Sequence, residues 1–158
     1  VKDKKEPRKG AYKLVRENKK AWHNFEILEK YEAGISLVGT EVKSIREGHV
    51  NVEQAYVKLR GAELFVVGMN VTAYGHASAS LNHDPIRPRK LLLHKQEIRK
   101  IAGKIKERGH TVVPLKVYFN ERGLLKVEIA LARGKTKYDK RESIKKRESD
   151  RQLKRYKK

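Results

Sequence analysis

The residues able to do chemistry gather at the end of the chain. The string Gly134-Lys135-Thr136-Lys137-Tyr138-Asp139-Lys140-Arg141 opens a segment, Arg133 to Lys158, that holds thirteen Lys or Arg against four Asp or Glu, a net of +9. Cations at this density, continued by Lys145, Lys146 and Arg147, neutralise a row of phosphates and release their counterions. Asp139, Glu142 and Glu148 stand among Lys140, Lys145 and Lys146 at spacings that include three and four residues. Such pairs each support a helix by about 0.2–0.5 kcal/mol. After Asp139 the segment offers only Ile144, Leu153 and Tyr156 as apolar residues, so a helix alone in water is marginal. The segment is therefore expected to be disordered when free and helical inside a confining polyanionic channel, with phosphate contacts offsetting the ordering entropy.

The sequence offers no catalytic or metal-binding constellation. Gly134-Lys135-Thr136 looks like the end of a phosphate-binding loop, but the pattern needs a Gly where Ile129 stands. His83-Asp84-Pro85 could pair a base with a carboxylate, yet Asp before Pro reads better as a turn that caps backbone N–H groups. The six His are scattered and show no ligand spacing, and there is no Cys. No cofactor, no metal and no enzymatic activity are expected.

Binding residues are a different matter. Glu32 and Glu41 are carboxylates in a basic protein. They are either solvated or ion-paired, or they accept hydrogen bonds from base amino groups or a ribose 2′-hydroxyl. Arg87-Pro88-Arg89-Lys90 is either a solvated turn or a phosphate clamp beside Leu91-Leu92-Leu93, three Leu that cannot all face one core. Trp22 reads as a core anchor, whereas His23, flanked by Lys19, Lys20 and Asn24, is a ring placed to stack on an unpaired base.

The charge distribution sets the organisation. The formal charge is +20 over 158 residues. Residues 1–20 carry nine basic and three acidic side chains, and residues 21–132 carry seventeen and twelve. A near-neutral core with basic arms points to nucleic acid. No apolar run approaches a spanning helix. The charged N-terminus lacks the apolar region of a signal peptide. With no Cys, a cytoplasmic protein and no membrane partner are expected. The expected divisions are a flexible basic arm over 1–17, a domain over 18–132 and the tail over 133–158.

Within the domain the periodicity is mostly two. Strands are expected at Phe25–Glu32 and, after a break at Gly34, at Ile35–Val38. A short helix capped by Thr40 should close at Gly48. Ala55–Ala73 reads as a meander turning at Gly61, and 74–90 as a long loop. Ile98, Ile101, Ala102 and Ile105 fall on one helical face. Val113, Leu115, Val117 and Phe119 mirror Leu125, Val127, Ile129 and Leu131 across Asn120-Glu121-Arg122-Gly123, which predicts a hairpin. The expected fold is mainly β: a small OB-like antiparallel barrel of about six strands with two or three flanking helices. A monomer is expected.

Several strings, taken in order, resemble the bacterial SsrA-binding protein (SmpB) family. They are Asn18-Lys19-Lys20-Ala21, Tyr31-Glu32-Ala33-Gly34-Ile35, Gly39-Thr40-Glu41-Val42-Lys43-Ser44-Ile45-Arg46, His83-Asp84-Pro85, Arg89-Lys90-Leu91-Leu92-Leu93-His94, Val113-Pro114-Leu115-Lys116-Val117-Tyr118 and Tyr138-Asp139-Lys140-Arg141. The resemblance runs from about Asn18 to Glu148. It implies an OB-like barrel that binds the tRNA-like domain of transfer-messenger RNA. It implies delivery of that RNA, with elongation factor Tu and GTP, to ribosomes stalled on truncated messages. It also implies a tail lying in the empty messenger channel beyond the decoding centre of the small subunit. Asn18, Glu32 and Leu92 match positions of the family's RNA-binding face, and Asp139-Lys140-Arg141 matches the working string of its tail. Thr136 and Ser149 depart from the commoner Lys and Trp. The rival reading is an OB-fold ribosomal protein with a basic extension, which composition alone does not separate.

Overall fold

The computed structural model describes residues 12–156, without the side chains of 137–139. In chain order the elements are β1 (Lys13–Glu17), α1 (Lys19–Asn24), β2 (Phe25–Ile35), α2 (Gly39–Arg46), β3 (Val50–Asn51), β4 (Tyr56–Arg60), β5 (Glu63–Val67), β6 (Asn70–Val71), β7 (Arg89–Leu92), α3 (Lys95–Ile105), β8 (His110–Phe119), β9 (Leu125–Gly134) and α4 (Lys137–Tyr156). Seven strands form one antiparallel sheet in the order β1-β8-β9-β2-β7-β5-β4, and β3 pairs with β6 apart from it. The molecule is thus mainly β with several helices, as expected. Its ladders end at β1 and β4. The sheet curls enough to bring β4 against β8, but no ladder among the described residues closes it into a barrel.

The curl encloses the main core. Val127, Ile129 and Leu131 of β9 face inward with Leu64, Val66, Leu91 and Ile101, while Ala130 and Ala132 face outward, as period two requires. Neighbouring β8 obeys the same rule only in halves. Val112 and Val117 both face the main core, although they lie five positions apart. The register shift between Pro114 and Lys116 accounts for this, because one extra residue exchanges the faces. Its outward residues Val113 and Leu115 meet Ala21 and Trp22 of α1, which forms a second layer over β8 and β9. A matching shift between Ile27 and Glu29 turns Lys30, Glu32 and Gly34 outward along β2.

Several expectations are corrected. Residues 13–17 are not part of a flexible arm; they pair with β8. Residues 1–11 lie outside the described ones. Gly34 does not break β2, which runs on to Ile35. Thr40 is not the cap of α2. The helix starts at Gly39, and the Glu41 carboxylate reaches back 3.0 Å to accept from the Val38 N–H. The meander stops after β5, since β6 leaves to pair with β3. The hairpin is present, with Gly123 at φ +75° in its turn. The tail carries α4, Lys137–Tyr156.

Asn18 shows how local chemistry fixes the entry of the chain. Its Oδ1 accepts from the Ala21 N–H and caps α1, and its Nδ2 donates to Val52 O (3.1 Å) and Pro114 O (3.0 Å). The residue is 1% exposed. Asn18→Ala removes a cap and strands two buried carbonyls, so we expect a loss of about 2 kcal/mol, read from the urea midpoint.

Candidate nucleic-acid interface

The ladder registers place a row of side chains across the outer face. Leu92 lies opposite Gly34, Gly34 opposite Lys126, and Lys126 opposite Tyr118. The next row joins Glu32, Glu128, Lys116 and Glu17. Residues two apart on a strand share a face, so both rows lie on one surface. Lys30 continues it, 3.7 Å from Glu128 and 4.8 Å over the Trp22 ring. Gly34 is the low point: a Cβ there would sit 3.3 Å from the Leu92 Cβ, so a side chain would displace Leu92. Leu92 is 52% exposed, an apolar knob on a polar strip.

Glu32 is exposed, and its Oε2 accepts from the Tyr118 hydroxyl. Burial and then the Glu32 carboxylate push the Tyr118 phenol well above its ordinary range. The phenol therefore stays protonated and always donates. It fixes the carboxylate in place, while Oε1 has no protein donor among the described residues. A fixed acceptor of this kind suits the amino or imino hydrogens of a base, or a ribose hydroxyl. The Tyr12 ring, 5.1 Å away, covers Tyr118 from outside.

A second hollow, about 720 Å³, flanks Leu92 between the turn after β4, β7 and α3. Leu59, Leu91 and Ile98 line it, with Lys95 and Arg99 at its rim. Lys90 stands there too, paired with Glu63 at 2.9 Å.

Two expected surface residues are interior. Asn18 spends its side chain on the fold. Arg89 is 0% exposed, its Nε donating to Glu41 Oε2 and its Nη1 and Nη2 to Met69 O (2.7 Å) and Pro85 O (3.1 Å). Arg87 also donates to Glu41, through Nε at 3.0 Å. The expected phosphate clamp is therefore closed on a carboxylate of its own chain. Burial would push the Glu41 carboxyl up, but Arg87, the Val38 N–H and Arg89 outweigh it and hold the group below the usual carboxylate range. His83 is committed as well. Its Nε2 faces Val71 O at 2.8 Å and so carries the proton, leaving Nδ1 to accept from the Thr40 hydroxyl at 2.9 Å. Asp84 makes the expected turn, accepting from the Ile86 N–H.

His23 sits half-buried in the last turn of α1. Gly134 ends β9. On α4, Arg141, Lys145, Lys146 and Arg147 are exposed and Lys140 is half-buried. The side chains of Lys137, Tyr138 and Asp139 lie outside the described residues. Sequence reasoning missed Tyr118 and Lys126. Their signal was the alternation of β8 and β9, which fixes the outer residues once the bulge is known. Among the described residues no helix is long and apolar enough to cross a membrane.

The family model described as SmpB protein matches residues 15–158. The chain is 54% identical over 144 residues to an SsrA-binding protein of Thermosipho melanesiensis, covering 91% of this chain and 97% of that one. It is 53% identical over 146 residues to an SsrA-binding protein of Syntrophobacter fumaroxidans, covering 92% and 89%. It is similar to a solved chain from "tmRNA-SmpB: a journey to the center of the bacterial ribosome", with TM-score 0.65 and 48% identity, covering 82% of this chain and 93% of that one.

Proposed function

The chain belongs to the SmpB family, and from that premise we propose that it binds the tRNA-like domain of transfer-messenger RNA and delivers it to stalled ribosomes. The observation that carries this reading is the extent of the family match, which takes in both the outer face of the sheet and the cationic α4. The work divides between the two. Glu32 and Leu92 contact the structured RNA, with Lys90 supplying charge and His23 a ring at the margin. Asn18 and Arg89 act through the fold rather than by touching RNA. The tail, from Gly134 and Lys135 through Lys137, Tyr138, Asp139, Lys140 and Arg141 to Lys145, Lys146 and Arg147, follows the vacant messenger channel of the small subunit. A channel filled by message excludes it. Elongation factor Tu joins through the RNA. The activity is binding in the cytoplasm, not catalysis; both ring nitrogens of His83 are already engaged.

Two experiments test this. Glu32→Ala is expected to weaken binding of the tRNA-like RNA by about tenfold at fixed salt, the scale of one lost base or ribose contact. An affinity within twofold of the parent would remove Glu32 from the interface. Sequencing the RNA that co-purifies with the native protein separates the rival class. A ribosomal protein is stoichiometric on every subunit, whereas a rescue factor is scarce and travels with one small stable RNA.

A further inference from the structure

The outer face holds one of its carboxylates with a neutral donor. Glu32 lies directly opposite Glu128, a like charge, and diagonal to Lys126, which is within reach of a long side chain. Lys30 answers Glu128 at 3.7 Å. Glu32 instead takes its hydrogen bond from the Tyr118 hydroxyl, at Oε2. A hydroxyl donor to a carboxylate makes a strong, directional bond, yet it leaves the negative charge uncancelled. A Lys or Arg in its place would cancel that charge and would itself attract phosphate. Held by a phenol, the carboxylate repels phosphates and favours base N–H or ribose hydroxyl donors. It is also kept from swinging to Lys126.

The phenol is itself braced. Tyr118 is 7% exposed although it stands in the outer row with Lys126. The Tyr12 ring covers it, with centroids 5.1 Å apart, and Leu14 of β1 is its ladder partner. β1 in turn is tied down by Arg16, which donates to Val50 O at 3.0 Å and Gly48 O at 2.9 Å. The fold thus fixes the hydroxyl before any ligand arrives. An exposed Glu without such a donor samples several rotamers, and ordering it on binding weakens affinity. Resting on the reading that Glu32 contacts RNA, we propose that Tyr118 is a positioning residue: without touching RNA, its hydroxyl sets the Glu32 carboxylate in the orientation that accepts from RNA, and Tyr12 shields that bond from water. The chain at Tyr12 and β1 thereby acts on a contact made from β2.

The test is filter binding of a transcript of the tRNA-like domain of transfer-messenger RNA, at fixed salt, to the full-length parent, Tyr118→Phe, Glu32→Ala and the double variant. Tyr118→Phe keeps the ring and the net charge. It should weaken binding by about fivefold, the scale of ordering one flexible side chain. The salt dependence should not change, because no cation is lost. In the Glu32→Ala background the same substitution should change affinity by less than about twofold. Tyr12→Ala keeps the hydroxyl but opens it to water. It should weaken binding by about threefold, again only where Glu32 is present, and it takes the place of Tyr118→Phe if circular dichroism shows that variant unfolded. A folded Tyr118→Phe within about twofold of the parent overturns the inference. So does an equal loss in both backgrounds, which would mean that Tyr118 acts on the fold or on RNA directly. If Glu32→Ala alone changes nothing, the reading of Glu32 as an RNA contact falls and takes the inference with it. The first two outcomes leave that reading standing.

Discussion

Glu41→Ala is expected to be the most damaging single change in the domain, costing about 3–5 kcal/mol because it leaves a buried guanidinium without its counter-charge. Glu41 and Arg89 are both 0% exposed. The carboxylate holds the start of α2 through Val38, and Arg89 carries the connection on to Met69 O and Pro85 O. Loss of Glu41 therefore loosens α2, the 74–88 loop and β7 together. Thermal or urea unfolding measures it, and a loss below about 1 kcal/mol would show that the cluster is dispensable. The pH dependence has a definite sign. The carboxyl pKa is lower in the folded protein than in the unfolded chain. Its stabilisation is therefore complete above the unfolded carboxylate range and is lost as pH falls through the folded value. Glu41→Gln should flatten the stability profile on the acid side of the ordinary carboxylate range, where the parent loses stability.

Removal of residues 137–158 is expected to abolish peptide tagging on stalled ribosomes while leaving binding to the tRNA-like RNA nearly intact. This cut keeps β9 whole and leaves Lys135 on α1; a cut at Arg133 would also trim the pairing with His110 and Phe25. It removes eleven Lys or Arg and four Asp or Glu, a net of +7. If the tail makes about six phosphate contacts on the ribosome, its loss should flatten the log–log salt dependence of ribosome binding by about 4–5. Filter binding of the RNA and a tagging assay on a truncated message measure the two halves separately. An RNA affinity falling as far as with Glu32→Ala would refute the division of labour.

The sequence made the strands legible where one face alone met the core. Leu125, Val127, Ile129 and Leu131 alternate without interruption, and β9 is found there. It was less informative where chain geometry changes parity. Nothing in Pro114-Leu115-Lys116 announces that Leu115 will face α1, so the outer row of Tyr118 and Lys126 became visible only with the register. α1 was missed because Lys19-Lys20-Ala21-Trp22-His23-Asn24 is too short to show a period, and its evidence is the Asn18 cap. Arg89 was misplaced for a related reason. A basic cluster in a loop looks solvated until its carboxylate, 48 positions away, folds onto it. Glu32 and Leu92, singled out by the resemblance, are both exposed.

The tail leaves the domain from β9, a strand paired along its length with β2 on one edge and β8 on the other. Backbone hydrogen bonds in such ladders run across the strand direction. Tension drawn along the strand from Gly134 therefore strains many of them in shear at once instead of peeling them one by one. With the tail inserted and the RNA on the outer rows of the same strands, as proposed, a ribosome that drew on the tail would load the anchorage as a whole, and the RNA would feel that load with little delay.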